Sequence, residues 1–350
     1  MRWIACLVML TGSFALAQTK TWEFAGEGLW PQIDAAKAST QPYVPVPELD
    51  RVEKLIKENK NKEAEEACVA WLVAHKSHPQ RDRALYLNAQ ALYQYGDRIK
   101  AFYYCDELLD EFPDSGYYYA ALQMQYRIAD AYLNGYKRRF FKVPMFTAYD
   151  EAIEMLFRIQ NRSPGSPLAE RAMLRTADFY FANRDYDFAG DTYAAYVRSY
   201  PRSPEVPRCR LREAISHYAQ FRGPRFDAAP LIDAREQFRS LMATDRDLAE
   251  EQNVPSLLVQ INEDLARKLY LTGDFYRRTH EERGAVYSFK YLLKAFPDSA
   301  VAPKAAEALR KMPQWAIDQT PEPAVMPEFA PGTRGGPEAP MGHGERGMVR

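Results

Sequence analysis

Four short motifs, in which a proline is followed by one variable residue and a serine, divide the chain at regular intervals. Each motif follows an amphipathic stretch, where the proline cannot continue a helix and the next residues can cap a new one. The interval from Pro79 to Pro113 is 34 residues, and that from Pro164 to Pro201 is 37. This spacing is typical of arrays of helix pairs. The motifs are Phe112-Pro-Asp-Ser115, Ser163-Pro-Gly-Ser166, Tyr200-Pro-Arg-Ser203 and Phe296-Pro-Asp-Ser299.

Apolar residues before each proline keep the period of a helix and the same offsets from one unit to the next. An alanine always lies 12 residues before the proline, where the two helices of a pair cross most closely. The pattern predicts an all-α, tetratricopeptide-like right-handed solenoid of about six helix pairs over 47–311, capped by a last helix near 301–311. The residues that define the repeat are Gly96, Ala101, Pro113, Ala152, Pro164, Ala189, Pro201, Gly273, Ala285 and Pro297.

Two units are longer than the repeat, and both are extended at the turn between their first and second helices. The additions fall in 135–146 and 221–230, and both combine arginine with phenylalanine. Equivalent turns emerge on one edge of such an array. We expect a docking surface for an acidic partner or a lipid head group. For the loop 136–142 the alternative is that its phenylalanines pack back onto the helices. The candidate partner-binding residues are Lys137, Arg138, Arg139, Phe140, Phe141, Arg222, Arg225 and Phe226.

The two ends of the chain differ in composition from the repeats. Residues 1–17 predict a signal peptide, with Arg2 before an apolar run and small residues before Gln18. Residues 18–46 predict an extended N-terminal arm, and 312–350 a disordered tail rich in Pro and Gly. The chain is therefore expected to be exported to the periplasm and to associate with the outer membrane.

Composition and motifs indicate binding rather than catalysis. A formal charge of −1 does not predict a nucleic-acid partner, which would need a basic face. The sequence has no phosphate loop, G-x-S-x-G or H-E-x-x-H motif. No cofactor or metal is expected, since His75 and His78 near Cys68 lack a further ligand and are better explained by a helix end. Cys68 and Cys105 are expected to be buried thiols, with a disulfide as the alternative.

The repeats resemble the BamD family, the tetratricopeptide lipoproteins of the outer-membrane β-barrel assembly machinery. The resemblance covers roughly 48–311. It implies a periplasmic scaffold without enzymatic activity that binds outer-membrane assembly components and nascent β-barrel chains, with membrane contact made through its partners. It rests on Glu111-Phe-Pro-Asp-Ser115 before Ala120–Tyr132, on Ser199–Ser203 leading on to Arg210, and on Leu174–Ala189.

Family lipoproteins carry a cysteine that becomes lipidated, and the sequence does not predict one here. Cys6 follows only five residues, and Ser13 stands where Leu10-Thr-Gly would require a cysteine. Two other functions remain as alternatives. One is a cell-envelope adaptor of the Tol-Pal type, acting on peptidoglycan or division complexes. The other is a helical lytic transglycosylase, which would need a buried carboxylate of raised pKa in a cleft.

Overall fold

The computed structural model describes residues 45–136 and 149–324, together with the backbone alone of 138–140 and 143–146. The predicted signal peptide, residues 18–44 of the arm and residues 325–350 of the tail lie outside the described residues, as do Lys137 and Phe141. Two compact units divide the chain, one ending at Gln125 and the other beginning at Tyr126. The helices before the division are α1 Pro47–Lys57, α2 Asn61–Ala74, α3 Arg81–Tyr95, α4 Arg98–Glu111 and α5 Tyr118–Leu133, which crosses it.

The second unit continues the same alternation of helices. Two short strands follow α5, β1 Arg138–Phe140 and β2 Val143–Phe146. The helices are then α6 Tyr149–Arg162, α7 Pro167–Ala182, α8 Tyr186–Ser199, α9 Val206–Gln220, α10 Ala229–Thr244, α11 Arg246–Glu251, α12 Val254–Arg278, α13 Glu282–Ala295, α14 Ala302–Arg310 and α15 Gln314–Gln319.

The described helices follow one another as six successive pairs, and contacts between the two helices of a pair are seen for α1/α2, α3/α4, α7/α8, α9/α10 and α12/α13. The pairs are α1/α2, α3/α4, α5/α6, α7/α8, α9/α10 and α12/α13, and α14 follows them as the predicted capping helix. The all-α, tetratricopeptide-like fold class is therefore confirmed.

The chain beyond residue 311 departs from the predicted disordered tail. Residues 314–319 form α15, Ala316 is fully buried, and Lys290 of α13 donates to the carbonyl oxygens of Ile317 and Thr320. The prediction was wrong for 312–324 because it relied on average Pro and Gly content. Burial of one apolar turn against a neighbouring helix is enough to order so short a segment.

The second helix of a pair ends in the same way wherever an aromatic residue precedes proline. The ring of proline disfavours a helical conformation for the residue before it. Phe112, Tyr200 and Phe296 accordingly leave the helix at φ of −129°, −127° and −137°. The serine of each motif then donates its backbone N–H to the aromatic residue's carbonyl oxygen, at 3.0–3.2 Å. These turns start the next helix at a fixed point.

The first helix of most pairs ends on a residue in the left-handed conformation. At Gly96 φ is 95°, and the N–H of Asp97 returns to the carbonyl oxygen of Leu92 at 2.9 Å. This is the Schellman arrangement, which satisfies carbonyls left open at a helix end. The same closure, at the same distance, occurs at Asn59, Gly135, Arg184 and His280.

The interrupted turns differ from this pattern in two ways. In the third pair Gly135 completes the closure, and the strands β1 and β2 follow it as an antiparallel hairpin. The sequence analysis did not predict this hairpin. In the fifth pair α9 ends instead at Phe221 with an extended backbone, φ −68° and ψ 116°.

Small residues lie where successive helices approach each other. The predicted alanines at 101, 152, 189 and 285 are all fully buried. In the last pair Gly273 of α12 faces the ring of Phe289 on α13, and a Cβ built at Gly273 would lie 2.6 Å from Phe289 Cε1. No side chain fits in that space without separating the helices.

Replacing Gly273 with alanine should lower the free energy of unfolding by about 1–3 kcal/mol, because the methyl group overlaps a buried ring. Gly190→Ala is the matched control. Gly190 also lies inside a helix, but a Cβ there would be 3.5 Å from its nearest neighbour. It should be neutral or stabilising by about 0.5–1 kcal/mol, since alanine favours helix. Urea denaturation of both variants is the test, and equal stabilities would refute the close-packing account.

Candidate functional site

The interrupted turn of the fifth pair presents arginine and phenylalanine side chains to solvent. Phe221 packs against the buried cluster of the second unit. Arg222 and Arg225 are exposed, and Phe226 is 56% exposed. In this turn Phe221 therefore packs back onto the helices, whereas Phe226 does not.

Backbone contacts give this loop a defined shape. Gly223 adopts φ of 114°, a conformation that favours glycine, and its carbonyl accepts from Phe226 N–H at 3.0 Å. Lys268 of α12 donates to the carbonyl oxygen of Phe226. The side chain of Asp227 accepts from Ala229 N–H at the start of α10. The exposed side chains are therefore held on a fixed turn.

The interrupted turn of the third pair is the β1–β2 hairpin. Its register pairs Arg138 with Phe146, Arg139 with Pro144 and Phe140 with Val143. Of the predicted docking residues here, Arg138, Arg139 and Phe140 lie on β1, while Lys137 and Phe141 are outside the described residues. Both insertions do follow the first helix of their pair, as predicted.

The sequence analysis did not predict a groove that opens between α6 and α7. It has a volume of about 500 Å³ and lies between the first turns of α6 and the end of α7. Tyr149, three residues after β2, lines it with Phe157, Phe179 and Tyr180. Asp150, Glu154 and Asp185 stand among these rings. No periodicity within one helix could reveal it, because its walls come from different helices.

A network of hydrogen-bonded charged residues joins α7 to α8 and α9. The sequence analysis did not predict this network. Asp178 of α7 accepts from Tyr193 of α8 and from Arg212 of α9, each at 2.6 Å. Arg208, also on α9, reaches the other carboxylate oxygen at 2.6 Å. Charge-assisted bonds of this length are the stronger kind. One carboxylate thus ties three successive helices together.

Burial produces one carboxyl group of strongly raised pKa. Glu213 on α9 has its pKa raised to about 7, chiefly by burial, although the charges of Arg198 and Arg210 lower it. Gln237 of α10 donates to it at 2.7 Å. Glu213 does not line the groove described above. The raised pKa that the transglycosylase alternative requires is therefore present, but away from that groove.

The three described cysteines are free thiols in apolar surroundings, so the Cys68–Cys105 disulfide alternative is not realised. Burial raises the pKa of Cys68 and of Cys209 to about 12, and that of Cys105 further. Cys68 donates its S–H to the carbonyl oxygen of Ala84 at 3.0 Å. Protonated, buried thiols of this kind serve packing.

His75 and His78 pack around Trp71 at the end of α2. The ring of His75 stacks on Trp71 at 4.7 Å, and that of His78 meets it edge-on at 5.1 Å. Across the residues that the structure describes, no group of three or more potential metal ligands comes together. The helix-end interpretation accounts for both histidines.

The molecule has buried small residues in its helices, capped repeat turns and exposed loop surfaces. These features place it in the class of helical-repeat interaction proteins. Residues 145–316, just under half of the chain, match the family model described as YfiO: Outer membrane lipoprotein. The predicted resemblance to the BamD family is confirmed for this region. This family consists of tetratricopeptide-like scaffolds that are generally not enzymes.

Comparison with other proteins adds little beyond the family. No curated protein matches the chain at a significant level. Among solved structures, it is similar to the C-terminal part of a TPR repeat-containing protein from Cytophaga hutchinsonii, at 13% identity and a TM-score of 0.29. That match covers 73% of this chain and 98% of the other. In the regions the structure describes, no helix is long and apolar enough to span a membrane.

The raised pKa of Glu213 gives a pH dependence with a definite sign. Because its folded pKa of about 7 lies above the ordinary 4.5, the folded protein holds a proton that the unfolded chain releases. The contribution of Glu213 to the free energy of unfolding therefore falls as pH rises from about 4.5 through 7.

Glu213→Gln should remove this loss, because glutamine keeps an acceptor for Gln237 and does not titrate. The variant should gain stability over the wild type as pH rises from 4.5 to 8, measured by denaturant unfolding at several pH values. Glu236→Gln, at an exposed position of α10, is the control. A difference between Glu213→Gln and wild type that is constant with pH would contradict the assignment.

Proposed function

We propose that the protein is a periplasmic scaffold that binds outer-membrane assembly components and assists the insertion of β-barrel proteins into the outer membrane. The observation that carries this proposal is the family match over residues 145–316, which spans the helix pairs from the hairpin to α15. Exposed arginine and phenylalanine on the interrupted turn of the fifth pair give this scaffold a surface suited to partner proteins. Such side chains are enriched in protein interfaces.

The proposal also includes a role for the two ends of the chain. Residues 1–17 would direct export, and residues 18–46 would form an arm ahead of the helix pairs, with 325–350 as a tail beyond them. Contact with the membrane would be made through the partners. Nascent β-barrel chains are included among the partners, and neither nucleic acid nor a cofactor is needed.

The docking surface is proposed to comprise the two interrupted turns. Its residues are Lys137, Arg138, Arg139, Phe140, Phe141, Arg222, Arg225 and Phe226. The exposure of Phe226, with the fixed shape of its loop, supports this assignment. A preformed turn loses little conformational entropy on binding, so its exposed groups contribute more of their contact energy.

Depleting the protein in its native organism should lower the amounts of outer-membrane β-barrel proteins, because their insertion would lose its scaffold. Quantitative proteomics of outer-membrane fractions measures this, and re-expression of the wild type is the control. Unchanged barrel levels would refute the proposal. Unchanged levels with crosslinks to peptidoglycan synthases would favour the Tol-Pal-type adaptor instead.

The docking surface can be tested on the loop whose side chains are described. Changing Arg222, Arg225 and Phe226 together to serine should abolish capture of partners from envelope fractions, while leaving the melting temperature within a few degrees of wild type. The loop contributes few buried side chains, so little packing is lost.

The matched control changes Phe275, Arg277 and Arg278 to serine. These are the same residue types, exposed at the uninterrupted turn of the sixth pair, where Phe275 is 54% exposed. This control should retain partner capture. If both triple variants lost partner capture equally, the insertion would have no special role in binding. A large fall in the melting temperature of the loop variant would instead favour packing of the loop onto the helices.

A further inference from the structure

The groove between α6 and α7 has an aromatic floor that continues onto α8. The ring of Tyr149 lies 5.2 Å from that of Phe179, centroid to centroid. The ring of Tyr180 lies 6.2 Å from that of Phe179 and stacks on Phe188 at 5.3 Å, with 29° between the planes. These separations are typical of favourable aromatic pairs. Three helices thus contribute to one continuous aromatic surface.

Much of this aromatic surface remains exposed. Phe157 beside the groove is 44% exposed, and Phe188 at its far end is 63% exposed. Single exposed apolar residues need no explanation, but a group of aromatic side chains around a groove is typical of an interaction site.

The charges that the described residues contribute to the groove have one sign. Among these lining residues are three carboxylates, Asp150, Glu154 and Asp185, and no lysine or arginine. Glu154 is paired with the exposed Arg158 at 2.7 Å. Over the stretches of chain that the structure describes, Asp150 and Asp185 make no ion pair.

The two unpaired carboxylates also act on the aromatic floor. The pKa of Tyr180 is raised, first by burial and then by the charges of Asp185 and Asp150. Both carboxylates therefore lie close enough to Tyr180 for their negative potential to reach the middle of the groove. A cation over an aromatic face is attracted by the ring, and a nearby carboxylate adds to the attraction.

We propose that this groove binds a peptide segment of a partner protein in which an aromatic or branched aliphatic side chain is flanked by lysine or arginine. The apolar side chain would cover Phe179 and Tyr180, and the flanking cations would face Asp150 and Asp185. Charge complementarity excludes acidic peptides and anionic lipid head groups as the preferred occupants. This binding needs only a partner that presents such a segment, so it does not depend on the proposed role in barrel assembly.

The experiment selects peptides from a random display library on the full mature chain and measures the affinity of resynthesised peptides by fluorescence anisotropy. The groove variant carries Asp150→Asn with Asp185→Asn, which removes two charges without changing side-chain size. The control carries Asp191→Asn with Asp233→Asn, exposed positions on α8 and α10 that also lose two charges. The two variants therefore have the same net charge.

The library should enrich peptides with an aromatic or aliphatic residue between basic ones. Their affinity should fall about tenfold in the groove variant and stay near wild type in the control, since two exposed charge pairs contribute up to about 1 kcal/mol each. Phe157→Ser should also weaken binding. Enrichment of acidic peptides, no enrichment, or equal affinity in the two variants would overturn the proposal. The peptide-binding result does not depend on whether β-barrel proteins are assembled normally in cells. The groove proposal and the proposed function can therefore be refuted independently.

Discussion

The close approach of paired helices at small residues is the contact on which the arrangement depends. Where Gly273 meets the ring of Phe289, a larger side chain would push the helices apart. The repeat alanines at 101, 152, 189 and 285 are all fully buried. Packing of this kind fixes the distance between two helices and, with it, which larger side chains can interdigitate around the contact. The aromatic residues of the chain can then fill the space on either side.

Features governed by local stereochemistry could be predicted from the sequence. Pro113 and Ser115 define a turn because proline restricts the residue before it, and that restriction does not depend on the rest of the fold. The left-handed end at Gly96 was predictable for the same reason. Arg184 and His280 adopt the same conformation without being glycine. Their sequence carries no sign of it, because the completed hydrogen bonds rather than the residue type stabilise those turns.

The parts that could not be predicted are those assembled from separate helices. Tyr149 and Phe179 meet in the groove although 30 positions separate them, and Asp178 meets Arg212 across a comparable distance in the chain. Helical periodicity gives the face of one helix but not which residues of the next helix lie opposite it. Composition likewise could not predict that α15 is an ordered helix, because its order depends on contacts with α13.

The second unit carries two surfaces of opposite chemistry. The loop with Arg222, Arg225 and Phe226 joins aromatic and positive groups, whereas the groove beside Tyr180 joins aromatic and negative groups. The two proposed sites would therefore select segments of opposite charge. If both bind, the unit would hold two different segments at once, as a scaffold does.

The left-handed closure at Gly135 has a consequence for how such a chain can change over evolutionary time. Because α5 is terminated and its last carbonyls are satisfied before the hairpin begins, the helix does not rely on what comes after it. Residues can be gained or lost beyond that point without disturbing the helix end itself. A terminated helix followed by a connection of variable length is a site where new binding specificity can accumulate while the repeat framework is inherited unchanged.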